Sequence, residues 1–381
     1  MTPSRGHGSP AVAPAHESST LMHTPIDFTV HPLVIPARLE DEDASDFIQL
    51  TEVRNRIYRE IAGNDDETLT PAQLLPHYAP NPDEIRVVHV VRVGGEIVGR
   101  VGVDVPLEPG SKVAYWLVEL LEAVQGRGLG RALYPLVEET ARAHGRTVLE
   151  SWAEHPEASG PTLPSPTGFG EIPRDRAARF YLDLGYTLEQ VERKSTLEIE
   201  AALPHVATLL DAARTRSTGY RVEQWTLPTP PEHAAGYAWA KSRMSTDVPT
   251  AALEIDEETW DVERLARHDA RFTDAGQTVL VTVAIHEESG DVVAFNELVS
   301  GVDESATTHQ MDTLVLKEHR GHKLGQLVKC AGILRWHEIA PHSGRILTFN
   351  AEENRPMLDI NEEIGFVPRA YIGAWKKTLA S

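Results

Sequence analysis

The sequence predicts an α/β (α+β) fold of two tandem domains, each a mixed, mostly antiparallel sheet flanked by helices. Three observations lead to this prediction: the chain length, a strand pattern that occurs twice, and a common order of elements after both copies. The chain has 381 residues, more than the roughly 250 to 300 at which a single core stops growing. Its hydrophobic content of 41% is sufficient for two cores.

The strand pattern that occurs twice is that of a β-hairpin. Residues 85–105 contain Val-rich runs on either side of Gly94-Gly95, and residues 279–299 contain two more around Ser289-Gly290. Apolar runs that flank a short glycine turn are typical of hairpins. Before the first hairpin, apolar residues at spacings of three and four over 44–61 predict an amphipathic helix.

The order of elements after each hairpin is also shared: a strand, a glycine-containing basic loop, an amphipathic helix, a strand and a short helix that closes on Gly-aromatic. The loops begin at Gln125 and Arg320, and the closing segments end at Tyr186 and Phe366. A repeat of this length indicates a duplicated domain. We therefore expect a disordered tail at 1–25, a first domain at 26–203, a linker at 204–220 and a second domain at 221–381.

Composition disfavours several classes of protein. The chain has 36 Lys+Arg against 57 Asp+Glu, a net charge of −21, and nucleic-acid binding depends on cationic contacts to phosphate. The only cysteine is Cys330, so no disulfide framework, Cys-cluster site or other metal site is expected. No apolar run reaches the roughly 18 residues that a membrane helix needs. We expect a cytoplasmic protein without membrane or nucleic-acid partners, either a monomer or a homodimer.

The glycine-rich loop QGRGLG at 125–130 joins a strand to a helix. Glycines there leave backbone N–H groups free to face an anion, which the helix dipole favours. The loop is therefore predicted to bind pyrophosphate, although a glycine-rich turn without a ligand has the same pattern. A dinucleotide site is disfavoured because the glycine spacing does not match G-x-G-x-x-G. Both loops carry added cationic side chains, namely Arg127, Arg131, Arg320, His322 and Lys323.

Two motifs in order resemble the GNAT superfamily of acyl-CoA-dependent N-acetyltransferases. Gln125, Gly128 and Gly130 match its loop, and the segment from Phe180 and Tyr181 to Gly185 and Tyr186 matches its closing motif. The resemblance extends over roughly 85–200 and 278–381, in a tandem architecture similar to that of mycothiol synthases.

The resemblance implies that acetyl-CoA is the cosubstrate. Loop amides would bind its pyrophosphate, and its pantetheine arm would lie along the end of the preceding strand. In the first copy the implied residues are Val118, Leu120, Gln125, Gly126, Arg127, Gly128, Leu129, Gly130 and Arg131. In the second copy they are Val315, Arg320, Gly321, His322, Lys323, Leu324, Gly325 and Asn354, the last of which is alternatively a helix cap.

Acetyl transfer to an amine requires a base and an acid. Glu150 follows a strand beside Trp152, where burial raises a carboxylate pKa toward the useful range. In similar GNAT enzymes a glutamate on this strand is the base, with Glu119 and Glu122 as alternatives here. Tyr181 is the predicted acid for the CoA thiolate, the role of that tyrosine in the family; a packing tyrosine is the alternative.

The second copy departs from the motif, with Lys323 in place of a loop glycine and Asn361 in place of the tyrosine. We therefore assign the chemistry to the first domain and a structural, regulatory or pocket-forming role to the second. The Pro- and Gly-rich insertion between Glu150 and Tyr181 is predicted to be a substrate lid. Its Phe169 and three glutamates would receive a cationic amine, the glutamates being Glu154, Glu157 and Glu171.

The leading hypothesis is an N-acetyltransferase for a small cationic primary amine. Two alternatives stay open. One is a CoA-binding regulatory protein without turnover, and the other is a tandem GNAT-like aminoacyl transferase, which the net charge of −21 disfavours.

Overall fold

The computed structural model describes residues 27–156, 160–301 and 307–380, so the tail predicted at 1–25 and Glu157 lie outside the described residues. The fold is mixed α/β with a large, mostly antiparallel sheet flanked by helices, as predicted. In the first half the strands are β1 (Thr29–Pro32), β2 (Glu84–Val93), β3 (Glu96–Pro106), β4 (Val113–Leu120), β5 (Val148–His155), β6 (Thr162–Pro164), β7 (Glu171–Pro173) and β8 (Thr187–Glu198). Its helices are α1 (Ser45–Ala62), α2 (Pro71–Tyr78), α3 (Leu129–Ala143) and α4 (Arg176–Asp183).

Helix α5 (Ile199–Arg216) leads into the second half. The strands there are β9 (Tyr220–Thr226), β10 (Thr278–His286), β11 (Val292–Ser300), β12 (Thr308–Val315), β13 (Arg345–Ala351) and β14 (Val367–Thr378). The helices are α6 (Pro231–Ser242), α7 (Met244–Asp247), α8 (Val262–Asp274), α9 (Leu324–Ile339) and α10 (Arg355–Ile364).

Both predicted hairpins form. Strands β2 and β3 pair antiparallel around Gly94 and Gly95, which have φ of 60° and 91°, a conformation that glycine adopts at little cost. Strands β10 and β11 form the second hairpin. The helix predicted at 44–61 is α1, whose apolar face buries Phe47, Leu50 and Ile57.

One sheet of twelve strands runs through both halves. Its order is β1-β2-β3-β4-β5-β14-β8-β13-β12-β11-β10-β9. The last strand of the chain, β14, thus lies between β5 and β8, and β8 in turn pairs with β13 of the second half. Each half gives a strand to the other, and Trp375 of β14 accordingly belongs to the hydrophobic core of the first half.

The predicted linker is mostly helical. Residues 204–216 belong to α5, which buries Val206, Leu209, Leu210 and Ala213 in the core of the second half. Burial of this apolar face stabilises the connection as part of the second half's packing rather than as a free linker.

Each half contains one parallel strand pair that is short. Strands β4 and β5 pair only from Val113 and Val148 to Tyr115 and Glu150, and β12 and β13 pair over two residues, up to His309 and Leu347. Beyond these points, backbone groups on the facing edges of the described strands have no ladder partner. The sheet is therefore open at two equivalent places.

Candidate active site

The start of α3 presents backbone N–H groups that have no acceptor within the helix. Gly128 is the N-cap residue with φ of 87°, and Gly126 has φ of 72°. The first helical hydrogen bond runs from the N–H of Ala132 to the carbonyl of Gly128. The N–H groups of Leu129, Gly130 and Arg131 therefore have no acceptor within the helix, and among the described side chains none caps this end.

Gln125 fixes the loop to its surroundings. Its Nε2 donates to the carbonyl of Leu120 at the end of β4 (2.7 Å), and its Oε1 accepts from Arg176 at the start of α4 (2.9 Å). Leu120 is buried and Val118 packs partly buried against the same core. Gln125 and Leu120 thus shape the loop and the strand end through contacts within the chain.

The two predicted loop arginines differ. Arg131 forms an exposed ion pair with Asp183 (2.6 Å), whereas Arg127 is exposed on the loop itself. Gly130 permits a close approach of α3 to α4, because a Cβ there would lie 3.1 Å from the ring of Phe180. The ring of Phe180 therefore packs directly against the start of α3.

Tyr181 lies where β4 and β5 stop pairing. Its hydroxyl is 2.7 Å from Oγ of Ser151, and that Oγ donates its proton to the carbonyl of Trp116 (2.7 Å). Because a serine hydroxyl has one proton, the phenol must be the donor to Ser151. Burial raises the pKa of Tyr181 to about 12, so the phenol keeps its proton at neutral pH.

Glu150 precedes Ser151 in β5, so its side chain lies on the opposite face of the sheet from Tyr181. It is 0% exposed. Its Oε1 accepts from the N–H of Glu254 (2.7 Å), and its Oε2 has no hydrogen-bond partner among the described residues. Burial raises the pKa of Glu150 to about 7.

The alternative bases are less suited. Burial by itself would raise the pKa of Glu119, but the ion pair with Arg100 (2.7 Å) outweighs it and the pKa is lowered. Glu122 is exposed and lies in a short 3-10 turn after β4 rather than on the strand. Neither carboxylate combines burial with a raised pKa as Glu150 does.

Strand β14 supports both groups. The ring of Trp375 stacks on Tyr181 with 4.9 Å between centroids and 5° between planes. The next residue, Lys376, faces the other way and lies opposite Glu150 in the strand register, and its Nζ contacts Glu254 (3.1 Å). The second half therefore contributes to the surroundings of both Tyr181 and Glu150 in the first half. The sequence predicted a structural, regulatory or pocket-forming role for the second half, but it did not identify β14 as the element involved.

The part of the insertion between Glu150 and Tyr181 that the structure describes packs on the Tyr181 face of the sheet and not over Glu150. Its hairpin, β6 and β7, buries Ile172 against Gly373 and His155, on the same face as Tyr181. Phe169 and Glu171 are exposed there. Glu154 does share the face of Glu150, but it is paired with Lys194 (2.8 Å). The face of Glu150 is covered instead by the segment after α7, around Glu254.

The second opening has other residues at the positions of Tyr181 and Glu150. The last parallel partner on β13 is Leu347, where β5 has Glu150. Asn361 replaces Tyr181 and is buried, with hydrogen bonds to Lys329 (2.8 Å) and Asn350 (2.7 Å). Burial lowers the pKa of Lys329 to about 7.

The second loop uses its predicted residues mainly for internal contacts. Arg320 donates to the carbonyl of Val315 (3.2 Å), as Gln125 does to Leu120. Lys323 is the N-cap residue of α9 at φ of 58° and pairs with Glu363 (3.2 Å). Gly321, Leu324 and Gly325 shape the start of α9. The backbone carbonyl of His322 accepts a hydrogen bond from Ser217, the residue that follows α5.

Asn354 is at the N-cap position of α10, but its side chain makes no capping hydrogen bond. The capping alternative for its side chain was therefore wrong. Within 27–156, 160–301 and 307–380, no group of three His, Cys, Asp or Glu could hold a metal ion. Over the same residues, no helix is long and apolar enough to cross a membrane.

Comparisons with known proteins agree with this geometry. Residues 48–159 match the acetyltransferase (GNAT) family. A tandem GNAT protein from the clavulanic acid biosynthesis pathway is similar over 93% of this chain and 99% of its own, with 22% identity and a TM-score of 0.72. A GCN5-related N-acetyltransferase from Sphaerobacter thermophilus is similar over 94% and 98%, with 13% identity and a TM-score of 0.60. No curated protein matches the chain.

The first half thus contains a GNAT acetyltransferase domain, which makes the protein an acyltransferase by class. Over both halves, the chain has the fold of a tandem GNAT protein.

Proposed function

We propose that the protein is an N-acetyltransferase that transfers the acetyl group of acetyl-CoA to a primary amine, a small cationic metabolite, in the first half of the chain. One observation carries the proposal. Tyr181 and Glu150 lie on opposite faces of the sheet at the point where β4 and β5 stop pairing. A thioester placed in that opening would have a proton donor on one face and a base on the other.

The residues present fit acetyl-CoA. The unpaired amides of Leu129, Gly130 and Arg131 would bind its pyrophosphate, with the exposed Arg127 as an added cation. The unpaired edge of β4 after Trp116 would hold the pantetheine arm through its amide groups. In the second loop Lys323 and Arg320 are engaged with protein groups, which favours the first half as the site.

The reaction follows from the two side chains. Glu150, whose pKa of about 7 leaves a substantial carboxylate fraction at neutral pH, removes the proton from the ammonium of the acceptor. The neutral amine attacks the thioester carbonyl, the N–C bond forms and the C–S bond breaks. Tyr181, which keeps its proton at neutral pH, gives that phenolic proton to the departing thiolate as a general acid.

The test is amine-dependent release of the CoA thiol from acetyl-CoA, followed with a panel of primary amines. We expect turnover in the parent protein and a large loss in Glu150→Gln, with Glu139→Gln as the matched control because Glu139 is exposed on α3. Binding of acetyl-CoA without release for any amine would contradict the proposal and favour a CoA-binding protein without turnover.

A further inference from the structure

An indole on the Glu150 face is open to solvent. Trp152 is 36% exposed and follows Glu150 by two residues in β5, so it shares that face about 7 Å further along the strand. Its Nε1 donates to Glu192 on β8 (2.8 Å), which fixes the ring. The ring of Tyr115 lies beside it, 5.7 Å between centroids. The result is an aromatic surface held in place next to the base.

Carboxylates from four parts of the chain lie around this surface. On one side are Glu192 and Glu353; burial raises the pKa of Glu192, and the charge of Glu353 raises it further. On the other side are Glu150 and Asp256. Burial is the main cause of the raised pKa of Tyr115, and the negative charges of these two carboxylates raise it further. Negative charge therefore exceeds positive charge around the indole.

Three of these carboxylates have an oxygen that is unsatisfied. Oε2 of Glu150, Oδ2 of Asp256 and Oε2 of Glu353 are buried and lack a hydrogen-bond partner among the described residues. Glu150 is fully buried, and its unpartnered oxygen is on the face that the acceptor amine must approach. Buried, unpaired carboxylate oxygens are costly unless a cation or a donor meets them. A cationic occupant would supply both.

We propose that Trp152, Glu192 and Glu353 form a subsite for a second positive charge on the acceptor, so that the acceptor is a dication. The inference rests on the proposed function, because the first ammonium is the one that Glu150 deprotonates. An ammonium over an indole face is attracted by the ring quadrupole. The separation of about 7 Å between Glu150 and Trp152 along the strand suits two nitrogens joined by roughly four or five methylenes.

The experiment compares 1,5-diaminopentane with pentylamine, which has the same chain and one amine. We expect kcat/KM for the diamine to exceed that for the monoamine by about tenfold or more, the range of a desolvated cation–π contact assisted by carboxylates. Glu192→Gln, which still accepts from the indole N–H, and Trp152→Leu should each reduce this preference to within about threefold. Glu139→Gln, an exposed change of the same charge, should leave the ratio unchanged.

Calorimetric titration of both amines into the protein with CoA separates this inference from the proposed function. Tighter binding of the diamine than of the monoamine, with this preference lost in Glu192→Gln, supports the subsite even if no thiol is released. The absence of thiol release would then refute only the proposed function. Equal turnover of the two amines would refute the subsite and leave the proposed function standing. Equal binding without turnover would overturn both.

Discussion

Replacing Tyr181 by Phe removes one hydroxyl and little else. The ring would still stack on Trp375, and Ser151 would still donate to the carbonyl of Trp116. The hydrogen bond lost is the one that the phenol donates to Ser151, worth about 1 kcal/mol of folding free energy. The variant should therefore fold and unfold at nearly the parent's denaturant midpoint.

The effect on the reaction should be much larger than the effect on stability. A positioned general acid contributes about 10² to 10⁴-fold to a rate, so kcat should fall by about 10² or more in Tyr181→Phe. Affinity for acetyl-CoA should not change, because the binding groups at the start of α3 are intact. Thiol release under saturating amine gives kcat, and calorimetry gives the affinity.

A kcat in Tyr181→Phe within about threefold of the parent's would refute the role of Tyr181 as general acid, because loss of a general acid costs far more than this. Tyr181 would in that case be a packing residue of the first core. Loss of acetyl-CoA affinity together with activity would likewise contradict the assigned role, since it would place Tyr181 in binding.

Three further predictions concern pH and stability. kcat/KM should rise with pH with an apparent pKa of about 7, and this limb should disappear in Glu150→Gln, as a pH–rate profile would show. Burial lowers the pKa of Lys329 from 10.5 to about 7 in the folded protein. Between pH 7 and pH 10.5 the lysine therefore binds a proton in the unfolded chain but not in the folded protein, so the free energy of unfolding rises with pH. Lys329→Met should lose this slope and exceed the parent's stability near pH 7, as urea unfolding across that pH range would check. Lys323→Gly should raise the free energy of unfolding by about 1 kcal/mol, because Lys323 has a left-handed backbone conformation (φ of 58°) that is strained for lysine and not for glycine. A urea midpoint at or below that of the parent would count against this prediction.

Local patterns in the sequence predicted the elements that the site is built on. The glycine turn at Gly94-Gly95, the helix over 44–61 and the loop before α3 all have spacings that depend on near neighbours. The raised pKa of Glu150 was also expected from its apolar strand, because burial is the largest cause of the shift.

The strand exchange could not be predicted in the same way. Strands β8 and β14 each follow a short helix and close one copy of the repeat, so their local sequence is compatible with pairing in either half. Which partner a strand takes depends on contacts far apart in the chain, such as Trp375 with Tyr181. Similarly, no periodic pattern marks the segment around Glu254 as the cover of Glu150.

The exchange places residues of the second half at the proposed site in the first. Consecutive residues of β14 face opposite sides of the sheet. Trp375 therefore packs on Tyr181, while Lys376 lies opposite Glu150 in the strand register. The second half has Asn361 and Leu347 at the positions of Tyr181 and Glu150, yet it still contributes side chains to the proposed site in the first half.

The central claim is that the first half binds acetyl-CoA for catalysis, and calorimetric titration of acetyl-CoA tests it most directly. One site is expected in the intact protein, lost in Arg127→Glu and kept in Lys323→Glu. The reverse pattern, with binding lost only in Lys323→Glu, would contradict the claim, and so would the absence of binding in the parent protein.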